Sequence, residues 1–220
     1  MSNKNYTVYH LHTENSLLDS CTNYKLYVDK AVELGQTAIA FSEHGNTYNW
    51  IEKKMYANEK GLKYIHACEM YLTASLDEKV RDNYHTILIA KNQDGVKELN
   101  TLIDLATQED HFYYKPRITF TEFFSISNNI IKISACLASP LNRYPQSENA
   151  SREVYERLFT DLQRGYGKAW LVRLRLCVCD RRCLCGPSFL RPCHHQPCAG
   201  KSRLQRWHHL TAGLEESQVH

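Results

Sequence analysis

Apolar and polar residues alternate along most of this chain in two rhythms, one of period two and one near 3.6 residues. The first period-two run, Tyr6–Leu11, predicts a β-strand. Leu26, Tyr27, Lys30, Ala31 and Leu34 then recur at helical spacing over Tyr24–Leu34, and Gly35 suits the position that closes a helix. A short apolar run, Thr37–Phe41, fits a buried strand and ends in the polar loop Ser42-Glu43-His44-Gly45-Asn46. Thr47–Lys60 predicts a helix stopped at Gly61; Lys63–Tyr71 and Tyr84–Ala90 predict strands. Asp94–Thr107 predicts an amphipathic helix with Val96, Leu99, Leu102, Ile103 and Ala106 on one side. A strand over Ile130–Ala135, ending at Cys136, and a charged helix over Ser151–Arg164 complete the pattern.

Strands alternating with helices imply an α/β fold with a largely parallel sheet, open or closed. In such folds ligands gather at the carboxyl ends of the strands. His10, His12, His44, Glu69 and Cys136 fall at or just after such ends. On a strand, residues two apart share a face, so His10 and His12 project together while Leu11 turns into the core. Two imidazoles on one face supply the first two ligands of a divalent transition metal. His85 precedes its apolar run and reaches that rim only if its strand is antiparallel or the sheet bends round. Each residue also has a plainer role open to it. His44 could cap a helix, Glu69 could sit in water, and Cys136 or His85 could be core residues. Cys21, His66 and Cys68 carry only a structural reading. The aromatic and basic stretch His111–Arg117 suits single-stranded nucleic acid and internal packing equally.

Composition changes this picture at one place. Through Trp170 the chain holds 19 Lys and Arg against 21 Asp and Glu, and 13 of those basic residues are Lys. From Leu171 onward there are 8 basic and 3 acidic residues, 7 of the basic ones Arg, and Tyr, Asn, Ile and Met vanish. Residues 1–170 are therefore read as one domain and 171–220 as a separate Cys- and Arg-rich tail. The abruptness points to a changed reading frame or a disordered segment. A zinc module on Cys177, Cys179, Cys183, Cys185, Cys193, His194, His195 and Cys198 is disfavoured, because Cys-x-Cys pairs are tighter than ordinary structural zinc spacers. The hydrophobic content of 43 % supports a real core, and no run approaches the roughly 20 apolar residues of a membrane span. A cytoplasmic protein without a membrane partner is expected.

Taken in order, His10-Leu11-His12, the segment ending at Asp19, Glu43-His44-Gly45-Asn46, Glu69, His85 and Cys136-Leu137 resemble the PHP (polymerase and histidinol phosphatase) domain. The wording of His10–Ser20, Ser42–Asn46, Tyr114–Ile118 and Ser134–Ser139 is similar to the N-terminal PHP domain of bacterial replicative DNA polymerase III alpha subunits. The resemblance runs over roughly residues 5 to 165. It implies a distorted (βα)7 barrel, incomplete here at its C-terminal end, with up to three divalent metals (Zn, Mn or Fe rather than Mg). The ligand positions it implies are His10, His12, Asp19, His44, Glu69, His85 and Cys136, with Glu69, His12 and His44 at the centre of the reaction. That reaction would be phosphodiester hydrolysis, as a proofreading 3′→5′ exonuclease, with DNA ends and replisome subunits as partners of the longer protein. No polymerase site is expected in this chain. An inert structural module and a free-standing phosphatase of the histidinol-phosphatase kind are the alternatives. Glu43 stands where the family commonly has Asp and is read as support for His44. The family's final Asp-x-His is absent, since Asp180 is followed by Arg181 and Arg182.

Overall fold

The computed structural model describes residues 7–77, 79, 81, 83–144 and 151–166, with side chains of the last helix through residue 162. These lie in the first of two compact units, Met1–Val178. The expectations for 171–220 lie outside the described residues.

In chain order the elements are α1 (Tyr24–Glu33), β1 (Ala38–Phe41), α2 (Trp50–Glu59), β2 (Lys63–Thr73), β3 (Tyr84–Ala90), α3 (Gln93–Ala106), β4 (Arg117–Thr119), α4 (Phe120–Ser125), β5 (Ile130–Ser134), α5 (Pro140–Arg143) and α6 (Arg152–Tyr166). Local chemistry sets several boundaries. Asn23 caps α1 by accepting from the Lys25 N–H at 3.0 Å, and Asn92 caps α3 by accepting from Gly95 N at 2.9 Å. Thr119 and Glu122 form a reciprocal capping box that starts α4 directly at the end of β4.

The eleven-residue β2 is the spine of a five-stranded mixed sheet. Along one edge it pairs in parallel first with β1 (Ala38 opposite Lys63) and farther on with β4 (Tyr71 opposite Arg117). Between them His44 bridges to Glu69 in the register that β1 began. Its other edge pairs antiparallel with β3, which pairs antiparallel with β5. The expected largely parallel sheet is thus corrected to a mixed one. The physical cause is the link from Thr73 to Tyr84, which holds no helix among its described residues, whereas a parallel return needs a longer crossover.

The predicted strand over Tyr6–Leu11 is corrected as well. Residues 7–12 lie beside β1 without forming a regular ladder. Ala40 N donates to Val8 O and Ser42 N to Leu11 O, so two steps on β1 answer three on this segment, the count of a β-bulge. Leu11 N–H donates to the Ser42 hydroxyl rather than to a strand carbonyl.

Strand periodicity divides the packing. Cys68, Met70, Leu72 and Leu88 face a core built with Leu99 of α3, Phe123 of α4 and Leu158 and Leu162 of α6. The alternate residues of β2 and β3 behave differently. Ala67, Ile87 and Ile89 join Ala40 and Ile133 in a second apolar cluster, and the next layer along that face is Glu69, Tyr71 and His85. A third cluster, including Val28, Ile39, Phe41 and Ala57, seats α1 and α2 against β1. Polar chemistry therefore begins where the apolar layer ends, at the rim where β2 and β5 finish and β3 begins. No described helix is long and apolar enough to cross a membrane.

Candidate metal centre

Glu69 is the centre of this rim. Its side chain is 1 % exposed, and four imidazoles surround it. His10 Nε2 lies 2.6 Å and His12 Nε2 3.1 Å from Oε2. His85 Nδ1 abuts Oε1, and His44 Nδ1 lies 3.7 Å from it. Asp19 Oδ2 sits 3.1 Å from His44 Nε2, and Cys136 Sγ lies 3.6 Å from His85 Nδ1. All seven residues singled out in the sequence thus meet at one place. His85 joins them because β3 is antiparallel, which puts its first residues beside the end of β2 (Tyr71 opposite His85). Cys136 joins them because β5 runs back the same way, and the turn after it is tied down by His85 N–H donating to Ala138 O. Cys136 is exposed rather than a core residue.

A buried scaffold fixes the imidazoles. Glu43 is 1 % exposed and accepts from Thr13 N–H at 3.0 Å, from Lys53 Nζ at 2.7 Å, and from the Thr13 and Ser16 hydroxyls. Burial alone would raise its pKa, but Lys53 with Ser16 and Thr13 hold it below the usual range, so it is ionised and accepts only. Ser16 must therefore donate to Glu43, and its oxygen accepts from His12 Nδ1 at 3.0 Å and from His44 N–H at 3.1 Å. This assigns the His12 proton to Nδ1 and turns the Nε2 lone pair toward Glu69. Glu43, expected to support His44, reaches the His44 backbone N–H through the Ser16 hydroxyl and orients His12 through the same group.

The same reasoning applies to His44. Its Nε2–H donates to Asp19, which leaves Nδ1 with a lone pair directed at Glu69. His44 Nδ1 is buried and finds no hydrogen-bond partner, and the Glu69 Oε1 it faces meets only His85 Nδ1. A lone pair facing a buried carboxylate is unfavourable unless a cation stands between them. The donor set fits a divalent metal on that ground. Among the described residues, three groups of ligand atoms lie within 4.8 Å of one another: His10, His12 and Glu69; His12, Asp19 and His44; His44, Glu69 and His85.

Electrostatics agree. Burial would raise the Glu69 pKa, yet hydrogen bonds from His10 and His85, together with the charge on His85, outweigh it and keep the carboxylate ionised. Burial lowers His44, favouring the neutral ring that ligates metals. His85 is pushed up to about 9, burial being outweighed by Cys136 and Glu69, and the Cys136 thiol is lowered by His85. These charges hold the rim together where no metal shields it.

Sequence reasoning missed Ser16, Lys53 and Tyr71, whose ring stacks on His44 at 17°. Lys53 had a signal: it shares the inner face of α2 with Ala57, and a lysine there needs a buried carboxylate. His66 and Cys68 are structural, as expected. His66 Nε2 meets Asn100 and its Nδ1 meets the Tyr64 hydroxyl, while Cys68 is fully buried.

Comparison with known proteins gives a match to the PHP domain over residues 9–169. A DNA polymerase III subunit alpha from Helicobacter pylori is 35 % identical over 156 residues, which cover 70 % of this chain and 13 % of that relative. The Aquifex aeolicus counterpart is 33 % identical over 171 residues, 72 % of this chain and 15 % of the relative. The chain thus spans about a seventh of the length of these relatives or less. A solved amidohydrolase structure from Chromobacterium violaceum is 16 % identical with a TM-score of 0.34, covering 77 % of this chain and 54 % of that one, a likeness too slight to argue from.

Proposed function

This chain belongs to the PHP domain family, and we propose that its site is a metal-dependent phosphodiesterase centre acting as a 3′→5′ exonuclease. The observation that carries the reading is the pair of imidazole lone pairs, on His12 and His44, aimed at the two oxygens of buried Glu69. A neutral histidine gives one nitrogen to one metal, so the overlapping ligand groups are not independent. Glu69 has two oxygens and can serve two ions. His10, His12 and Glu69 Oε2 would hold one; His44, His85 and Glu69 Oε1, with Cys136 alongside, would hold the other. Asp19 either accepts from His44 or joins His12 and His44 in the third group. Imidazole and thiolate ligands suit Zn, Mn or Fe better than Mg.

Divalent metals held there would polarise a phosphoryl group and acidify water. The chain's own residues do the rest. Ser16 and Glu43 keep the His12 lone pair turned inward, Tyr71 keeps the His44 ring in plane, and the paired layer beneath Glu69 is apolar and excludes water. A (βα)7 barrel completed beyond the described strands is the architecture proposed for the domain, with 1–170 as its share of this chain. DNA ends and other replisome subunits in the cytoplasm are the proposed partners of the longer protein.

The test is metal-dependent release of nucleotides from the 3′ end of a single-stranded oligonucleotide, with p-nitrophenyl phosphate as the monoester control. The His12→Ala chain should lose this activity; hydrolysis that survives the substitution sinks the reading. A second reading, an inert structural module, is favoured by the missing Asp-x-His. Tightly bound metal without turnover of either substrate would select it, and preference for the monoester would select a phosphatase.

A further inference from the structure

Beside the His44–His85 side of the centre opens a cleft of about 350 Å³, lined also by Asp19 and by three basic residues, Arg81, Lys115 and Arg143. None of the three is a predicted ligand, and the reading above does not use them. Each is held by an aromatic ring. The Arg81 guanidinium lies 3.7 Å from the Tyr114 ring centre, Lys115 Nζ 5.4 Å from that of Tyr71, and the Arg143 guanidinium 5.9 Å from that of Tyr84. Arg143 also donates to the Asn83 carbonyl at 3.4 Å. Among the described residues no carboxylate pairs with Arg81 or Lys115, so their charge is left for a ligand. The buried Asn83 Oδ1, which has no hydrogen-bond partner, lines the same cleft.

Two leucines line the same cleft. Leu17 and Leu18 are 81 % and 109 % exposed, and Leu18 is held at φ +69°, a left-handed backbone state that is strained for a leucine. A strained and fully exposed leucine at the mouth of a charged cleft is suited to a flat apolar surface brought by a ligand. The cleft volume is near the small end of the roughly 300–1,000 Å³ typical of ligand sites. That size suits one nucleotide-sized unit.

Resting on the phosphodiesterase reading, we infer that this cleft is the subsite for the nucleotide next to the scissile bond of a single-stranded polynucleotide. Arg81, Lys115 and Arg143 grip its flanking phosphate, and Leu17 and Leu18 pack on its base. A phosphomonoester has no second phosphate to offer this wall.

The experiment is the salt dependence of binding of fluorescein-labelled decathymidylate to the full chain, measured by anisotropy in EDTA. Each of Arg81→Gln, Lys115→Gln and Arg143→Gln should reduce the slope of log K against log salt by about 0.7, and the triple variant by about 2. The charge-preserving set Arg81→Lys, Lys115→Arg and Arg143→Lys should keep the slope. An unchanged slope in the triple glutamine variant, equal loss in the charge-preserving set, or equally tight binding of a duplex overturns the inference. Its failure is separable from that of the parent reading, which is judged by metal-dependent hydrolysis of bis(p-nitrophenyl) phosphate by the unaltered chain.

Discussion

Ser16 shows how much of a metal site rests on residues that never touch the metal. One hydroxyl proton, committed to Glu43, decides the tautomer of His12 and the position of the His44 backbone. Ser16→Ala should therefore weaken zinc or manganese binding by about 10–100-fold while leaving the fold intact, read by calorimetric titration of the metal-stripped chain. Unchanged affinity would show that packing alone orients His12. Lys53 is a different case, because it neutralises a fully buried carboxylate. Lys53→Met leaves Glu43 charged and unpaired, and should cost about 3–5 kcal/mol in urea unfolding. All seven ligand candidates were legible from residue type and order. The proton bookkeeping that makes them a site was not, since it depends on a hydroxyl and an amine from other elements.

At the scale of elements, the decisive feature is the close approach of the β1–α2 turn to the chain before β4. Gly45 has φ +63°, and a Cβ there would stand 2.4 Å from Pro116 Cγ. Gly45→Ala should lose about 1–3 kcal/mol from backbone strain, with a further loss from displacing Pro116, read as a lowered thermal midpoint. The same approach carries a pH dependence. His111 lies between Asp110 Oδ1 at 2.8 Å and Glu122 Oε1 at 2.9 Å, so it ties this loop to the α4 cap. Burial lowers its pKa, but the two carboxylates outweigh that and raise it above the ordinary 6.5. A raised folded value means the stabilisation is complete below about pH 6.5 and fades as pH rises through the folded pKa. The stability gap between the wild type and His111→Gln should therefore narrow on going alkaline; a widening gap would reverse the assignment. Hydrophobic rhythm located most elements to within a few residues. It did not give strand direction, which follows from the short link before β3, without a helix among its described residues. It also missed β4 and α4, which are too short to show a period.

For the whole molecule, the question is what holds the rim when the imidazoles and Glu69 are brought together. The apolar layers account for the lower face of the sheet, and they end one layer below Glu69. Above it the sheet converges on a buried carboxylate faced by lone pairs, an arrangement that costs energy unless protons or metals fill the gaps. With metals, ligands from the segment before α1, the turn after β1, β2, β3 and the end of β5 become mutually cross-linked, so binding energy is transferred to the fold. A metal at 100 times its dissociation constant adds about 2.7 kcal/mol to stability. Dialysis against EDTA should therefore lower the thermal midpoint of the full chain, and zinc or manganese should restore it. His12→Ala should keep only part of that response, because the His44, His85 and Glu69 group remains, whereas Glu69→Gln should lose nearly all of it, since both groups share that carboxylate. Equal responses from the two variants would mean that the groups act as one site. No response in the wild type would mean that the rim is held by protons alone, and the phosphodiesterase reading would fall with it.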